Sequence, residues 1–317
     1  MTDYILIVVG FVLLIWGANC LVEGAVGLAR RFNVSDLVIG LTIVAFGTSA
    51  PELVVNVVAA MNPDTTDIAL TNIIGSNTIN IFVILGVSAL VYPIKSQAAS
   101  RKFDIPLSLL APVAILVLAW APDDEISLTD GIILLAVFLF FMYVTVRNMI
   151  KNRHSDEKEG APEDKSRPQK IWLSGILVVA GLFMLVVGGQ LIVNSATAIA
   201  ESLGISQAVI GLTIVALGTS LPELATSVVA AVKKNSNIAL GNIIGSNIFN
   251  IFFILGISAM IRPLPAYNNM AADLAMAASG SLLVLVFVLT NKSHEIKRPA
   301  GFSLLCIYAL YLILVLS

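Results

Sequence analysis

Two glutamates carry the strongest chemical signal in this chain. Glu52 lies in GLTIVAFGTSAPEL (40–53) and Glu223 in GLTIVALGTSLPEL (211–224), stretches that agree at 12 of 14 positions across an offset of 171. A carboxylate at the centre of a lipid-spanning segment costs about 2.5–3.5 kcal/mol on insertion scales. Writing one twice, in the same words, argues for function. Helical spacing puts Thr48 and Ser49 on the face of Glu52, at i−4 and i−3, and Thr219 and Ser220 on the face of Glu223. A second repeated word, TNIIGSNTIN (71–80) and GNIIGSNIFN (241–250), places Ser76 with Asn80 and Ser246 with Asn250 at i, i+4. Every candidate ligand is an oxygen; no His, Cys or Met takes part. Hard cations such as Ca²⁺, Na⁺ and Mg²⁺ prefer such a set, and two carboxylates balance one divalent ion.

Pro51 and Pro222 lack an N–H and clash with the preceding turn, and Gly47 and Gly218 relax the backbone beside them. A broken or kinked helix is expected at each word, with the carbonyls of Ala45 and Ala216 freed from the helical ladder. Irregular backbone at membrane depth is tolerated only beside water, protein or a ligand. Blander readings stand beside these. Thr and Ser often bond back to their own helix, and Asn80 and Asn250 could serve only to bridge helices. Gly75 and Gly245 are assigned to close packing. Glu23 sits near the end of an apolar segment, where snorkelling or pairing with Arg30 accounts for it.

The elements that must position these groups follow from composition. The chain has 317 residues, 58% hydrophobic and 12% charged, about half the charged share of a soluble domain. Most of its surface must therefore face lipid, and nothing is basic enough for nucleic acid. A spanning helix needs about 20 mostly apolar residues. Ten segments fit: roughly 4–28, 37–60, 69–91, 104–120, 129–148, 171–193, 207–232, 238–261, 271–290 and 300–316. The first, with Asp3 where a signal peptide has cations, reads as a span rather than a leader. Cys20 and Cys306 both fall in apolar segments and read as reduced core residues.

Cations follow every odd-numbered segment, so 17 of the 18 Lys and Arg fall on one side and only Arg262 on the other. The positive-inside rule then places both termini outside and the 150–170 linker in the cytoplasm. That linker, with KNRHSDEKEGAPEDKSRPQK at 151–170, divides the chain into an N-terminal half, 1–149, and a C-terminal half, 171–317. Residues 34–60 and 205–231 agree at 19 of 27 positions. Five segments per half is an odd number, so the second copy must thread the membrane in the opposite sense. The expected fold is an all-α membrane protein of ten helices in two inverted five-helix repeats, broken at a mid-membrane site. Such repeats point to a secondary transporter.

At the duplicated GTSxPE and GSNxxN words the sequence resembles the cation/Ca²⁺ exchanger superfamily, specifically the compact prokaryotic sodium/calcium exchangers. The resemblance covers nearly the whole chain. It implies exchange of Na⁺ for Ca²⁺ by alternating access, with spans one and six sliding as a bundle against the other eight. It implies four cation sites in a diamond built by spans two, three, seven and eight. Glu52 and Glu223 would hold Ca²⁺ and also coordinate Na⁺. Thr48, Thr219 and the carbonyls of Ala45 and Ala216 would serve outer Na⁺ sites, and Ser49, Ser220, Ser76, Ser246 and Asn80 would complete the shells. Asn250 departs from the pattern, since some family members carry Asp there; the site then has two carboxylates rather than three.

A proton-coupled Ca²⁺ (or other divalent cation) antiporter is the alternative, with the two glutamates as proton carriers. A channel would need an open selectivity path, against a single inverted-repeat site. No Ser/His/Asp or Cys/His set suggests an enzyme, and His154 and His294 both fall in loops. The expected partners are inorganic cations and the lipid bilayer, with no cofactor and no obligate protein partner.

Overall fold

The computed structural model describes residues 2–62, 66–119, 125–152, 170–203 and 216–316. Apolar segments with no water to bond their backbone must close their hydrogen bonds internally, and these residues are helical apart from loops and four two-residue strands. In chain order the helices are α1 (Thr2–Phe32), α2 (Asp36–Thr48), α3 (Ala50–Met61), α4 (Ile68–Val91), α5 (Ile105–Leu118), α6 (Leu128–Asn152), α7 (Ile171–Ser202), α8 (Ala216–Thr219), α9 (Leu221–Val232), α10 (Ser236–Ile261), α11 (Met270–Thr290) and α12 (Arg298–Leu316).

Among the described residues seven helices are long and apolar enough to cross a membrane, and α2 with α3, bent by 47° at their junction, would make an eighth. Shorter helices, α5, α8 and α9, stand where the hydropathy pattern predicts spans over 104–120 and 207–232; residues 207–215 lie outside the described residues. Most of the 150–170 linker, with His154, lies outside them too.

Contacts between loops sort the helix ends into two sets. At the basic end Asn235 Nδ2 donates to Asp36 Oδ2 at 2.6 Å and Ser236 Oγ to the Pro93 carbonyl at 3.3 Å. There β1 (Ile94–Lys95) pairs antiparallel with β4 (Glu295–Ile296). At the opposite end Arg262 Nε donates to the Ala60 carbonyl at 3.3 Å, and β2 (Glu125–Ile126) pairs with β3 (Leu264–Pro265). Loops following odd segments thus meet each other, and loops following even segments meet each other, as alternate threading requires.

Helices α1 and α7 pack antiparallel along a glycine seam. A Cβ on Gly10, Gly17 or Gly24 would come within 2.8 Å, 2.8 Å and 2.7 Å of the carbonyls of Gly188, Gly181 and Ser174. Glycine every seventh residue lets the two backbones touch, the close approach that drives helix association in lipid. α4 and α10 are the interior helices, 78% and 83% buried over their apolar windows, whereas α12 is only 11% buried. The Ser and Asn side chains at the centres of α4 and α10 therefore face protein rather than lipid. Cys20 and Cys306 are free thiols, but neither is a core residue: Cys20 is half-buried and Cys306 exposed on the outer face of α12. An apolar segment in lipid has no reason to turn its thiol inward.

Candidate functional site

Both repeated words break their helix at the serine. Ser49 has φ −83°, ψ 7° and Ser220 φ −86°, ψ 2°, in the sparsely allowed bridge region. Pro51 and Pro222 then fall in the first turn of α3 and α9, where a missing N–H costs nothing. The prolines start new helices more than they bend old ones. The Ala45 carbonyl, expected to be free, is not: it accepts from the Ser49 N–H at 3.0 Å and from Thr48 Oγ1 at 3.3 Å. The ladder closes one residue before the break. The carbonyl that loses its i+4 donor is that of Gly47, because Pro51 has none. Ala216 opens the short α8.

The breaks bring both glutamates into one buried cluster. Glu52 and Glu223 are each 1% exposed and close enough for the charge of one to act on the other. Ser49 Oγ donates to Glu223 Oε1 at 3.0 Å across the repeats, and Ser246 Oγ reaches the same oxygen at the 3.5 Å limit. Thr48 also lies beside Glu223, and Thr219 beside Glu52. Ser76, Ser220, Asn80 and Asn250 are buried as well. Among the described residues Glu52 Oε2, Glu223 Oε2, Ser76 Oγ, Thr219 Oγ1, Ser220 Oγ, Asn80 Oδ1 and Asn250 Oδ1 are buried without a hydrogen-bond partner. Buried polar atoms are normally satisfied; of these seven oxygens two belong to the carboxylates and five to hydroxyls and amides, all of the type a hard cation prefers. A wall of phenylalanines flanks Ser49, with Phe249 centred 5.7 Å from Phe46 and 4.8 Å from Phe138.

Two residues escaped the sequence reading. Asn77 and Asn247, in the middle of the GSN words, are 3% and 2% exposed and bond across the repeats. Asn77 Nδ2 donates to the Asn247 carbonyl at 3.1 Å, and Asn247 Nδ2 to the Asn77 carbonyl at 3.3 Å. Their side-chain oxygens accept from Asn250 Nδ2 at 2.9 Å and Asn80 Nδ2 at 3.0 Å respectively. The signal was present, since both words carry the same Asn, but it is shared with any packing motif. The backbone widens to π-helix at Asn80–Leu85 and at Phe249–Leu255, a distortion common at functional sites.

The repeat-related surroundings differ. On the basic side Thr48 Oγ1 donates to Asn242 Oδ1 at 3.0 Å, and Asn242 Nδ2 donates to Ser227 Oγ at 2.9 Å and to the Glu223 carbonyl at 3.3 Å. The counterparts of Thr48, Asn242 and Ser227 are Thr219, Asn72 and Asn56. There Thr219 Oγ1, Asn72 Nδ2 and Asn56 Oδ1 have no partner among the described residues, and Asn56 Nδ2 itself bonds the Glu52 carbonyl at 2.9 Å. Glu23 pairs with Lys233 Nζ at 3.0 Å, where the sequence suggested snorkelling or Arg30. The fold brings the end of α9 against α1, which sequence distance conceals.

This geometry is matched by known proteins. The model of the family described as "Sodium/calcium exchanger protein" matches residues 2–147 and 173–317. The chain belongs to that family. Among its relatives in the exchanger family, a putative antiporter, CaxA, of Alkalimonas amylolytica is 37% identical over 99% of this chain and 98% of its own. The sodium/calcium exchanger MaX1 of Methanosarcina acetivorans is 32% identical over 98% of this chain and 97% of its own. Among solved structures, the sodium-calcium exchanger NCX_Mj soaked with Na⁺ and Ca²⁺ superposes with a TM-score of 0.84 at 34% identity, covering 99% of this chain and 98% of that one. The likeness spans both halves and the segments that carry the site. The family match and the apolar helices together make this an integral membrane cation exchanger.

Proposed function

We propose that this exchanger moves Na⁺ against Ca²⁺ by alternating access, with ten spans in two inverted five-helix repeats, 1–149 and 171–317, joined by a cytoplasmic linker. Both termini then lie outside the cell membrane. The observation that carries the reading is the pair of buried carboxylates, Glu52 and Glu223, with Ser49 and Ser246 on one of them and further unpartnered hydroxyl and amide oxygens buried in the same repeated words. Two negative charges at membrane depth need a cation, and a dehydrated Ca²⁺ neutralises both at once. Na⁺ is a hard ion served by the same kind of oxygens, so Na⁺ entering the sites around Glu52 and Glu223 competes with Ca²⁺ for the two carboxylates. The neutral hydroxyls and amides replace hydration water without adding charge. Thr48, Ser49, Ser76, Asn80, Thr219, Ser220, Ser246 and Asn250 are the supporting ligands.

The named relatives MaX1 and NCX_Mj, both called sodium/calcium exchangers, favour Na⁺ over H⁺ as the coupling ion. The test is radioactive Ca²⁺ uptake into proteoliposomes under an outward Na⁺ gradient, compared with a pH gradient of equal size. Uptake that follows Na⁺ supports the proposal. Uptake that follows only pH moves the chain to proton coupling and makes the two glutamates the proton carriers.

A further inference from the structure

We infer that Asn77 and Asn247 are positioning residues that hold the side chains of Asn80 and Asn250 with their oxygens presented to the transported cation. This rests on the proposed site and deepens it. A carboxamide can point either its oxygen or its nitrogen at a ligand, and only the oxygen serves a cation. Asn80 and Asn250 are 1% and 0% exposed, so no bulk water decides their orientation. The crossed pair decides it. Asn247 Oδ1 takes the Asn80 amide hydrogen at 3.0 Å and Asn77 Oδ1 takes that of Asn250 at 2.9 Å. Asn77 and Asn247 cannot flip to undo this, because their own nitrogens are held by the opposite backbone carbonyls at 3.1 Å and 3.3 Å. Each of the two carboxamides is therefore used at both ends. What remains is one unpartnered oxygen on Asn80 and one on Asn250.

The lock also explains the residue type at position 250. It presents an acceptor, Asn77 Oδ1, to whatever stands there. An amide donates to it, whereas a carboxylate would set oxygen against oxygen and would need a proton or a rearranged Asn77. The scaffold thus selects a neutral ligand, and the charge of the site stays with Glu52 and Glu223. Because the lock joins one residue of each repeat to the other, it also holds α4 and α10 together at the depth of the site.

The experiment compares Asn77→Leu, Asn250→Ala and the double variant in the full-length protein. Half-saturating Ca²⁺ and maximal rate are read in proteoliposomes, with Ca²⁺-dependent thermal stabilisation in detergent as a binding readout independent of transport. Freeing the Asn250 amide is expected to raise half-saturating Ca²⁺ roughly 5- to 20-fold with a smaller change in maximal rate. The double variant is expected to be no worse than Asn250→Ala, because Asn77 acts through Asn250. Effects that multiply in the double variant, or an Asn77→Leu protein with unaltered Ca²⁺ dependence, overturn the inference. If Asn77→Leu does not fold, Asn77→Ser is judged by the same two criteria. A wild-type protein neither stabilised by Ca²⁺ nor able to move it overturns the exchanger reading itself, and with it the cargo assigned to this lock.

Discussion

The two sides of the central site are written in nearly the same residues and are bonded differently. Toward the basic end, Thr48, Asn242 and Ser227 form a closed chain of hydrogen bonds ending on the Glu223 backbone. Toward the opposite end, Thr219, Asn72 and Asn56 leave three buried polar atoms unpartnered among the described residues. The basic side also carries the Glu23–Lys233 ion pair, whose repeat counterparts, Asn194 and Asn62, are neutral. The lesson is that repeated sequence supplies two copies of one device, and packing bonds one copy more fully than the other. Under the alternating access proposed above, these two sides act as the gates, and the Glu23–Lys233 pair is a charged latch on the basic one.

The comparison can be broken at several points. The largest effect is expected where the two sides share a requirement. Glu52→Gln and Glu223→Gln each remove one of the two charges facing a divalent ion, and Ca²⁺ affinity is expected to fall about 100-fold or more. Size-exclusion profiles should stay unchanged, since a neutral amide is no harder to bury. If both variants transport normally, the carboxylates are not the centre of the site.

A middle effect should separate the two sides. Asn242→Leu removes three hydrogen bonds from the closed chain, at about 1–3 kcal/mol for the buried groups left unpaired. Asn72→Leu removes none that are formed by its Nδ2 in this state. Thr226, fully buried on α9, can report the difference as a cysteine, with Cys20 and Cys306 replaced by serine. Asn242→Leu is expected to raise its labelling by an impermeant maleimide several-fold, and Asn72→Leu to leave it near the starting rate. Equal labelling in the two would mean that the two sides are not held differently.

The smallest effect belongs to the latch. Glu23 and Lys233 are about half and one-third exposed, and exposed pairs contribute about 0.2–1 kcal/mol. Lys233→Gln is expected to shift the balance of the two gates by at most about fivefold, read as a modest rise in Thr226→Cys labelling. High salt should weaken the wild-type latch and leave the variant unmoved. A salt response that survives in Lys233→Gln would assign the bias to other charges.

The parts legible beforehand were those written residue by residue. The duplicated GTSxPE and GSNxxN words, the buried glutamates and the helix breaks all follow from local identity. So does the separation of the loop ends into two sets, because cation placement is a property of each loop alone. Ala45 shows the limit: Pro51 announces a break, but which carbonyl loses its donor depends on where the ladder stops, and the Ser49 N–H still reaches Ala45. Glu23 shows another, since its partner, Lys233, lies 210 residues away just past the end of α9. Asn77 and Asn247 were invisible as positioners for the same reason, because a crossed pair exists only once α4 and α10 touch.

By itself, then, the sequence determined the membrane character, the repeat, the oxygen-only ligand types and the pair of charges, since composition, periodicity and identity need no contacts. Only the tertiary structure decided which amides bond across the repeats, where Glu23 finds its cation, and which side of the site is the more fully hydrogen-bonded. Where the two repeats are identical they encode no preference between their copies; a difference enters where they diverge, at Ser227 against Asn56 and at Glu23 and Lys233 against Asn194 and Asn62. The packing then decides how that difference is used: among the described residues Asn242 bonds Thr48 and Ser227 on the basic side, where Lys233 also pairs with Glu23.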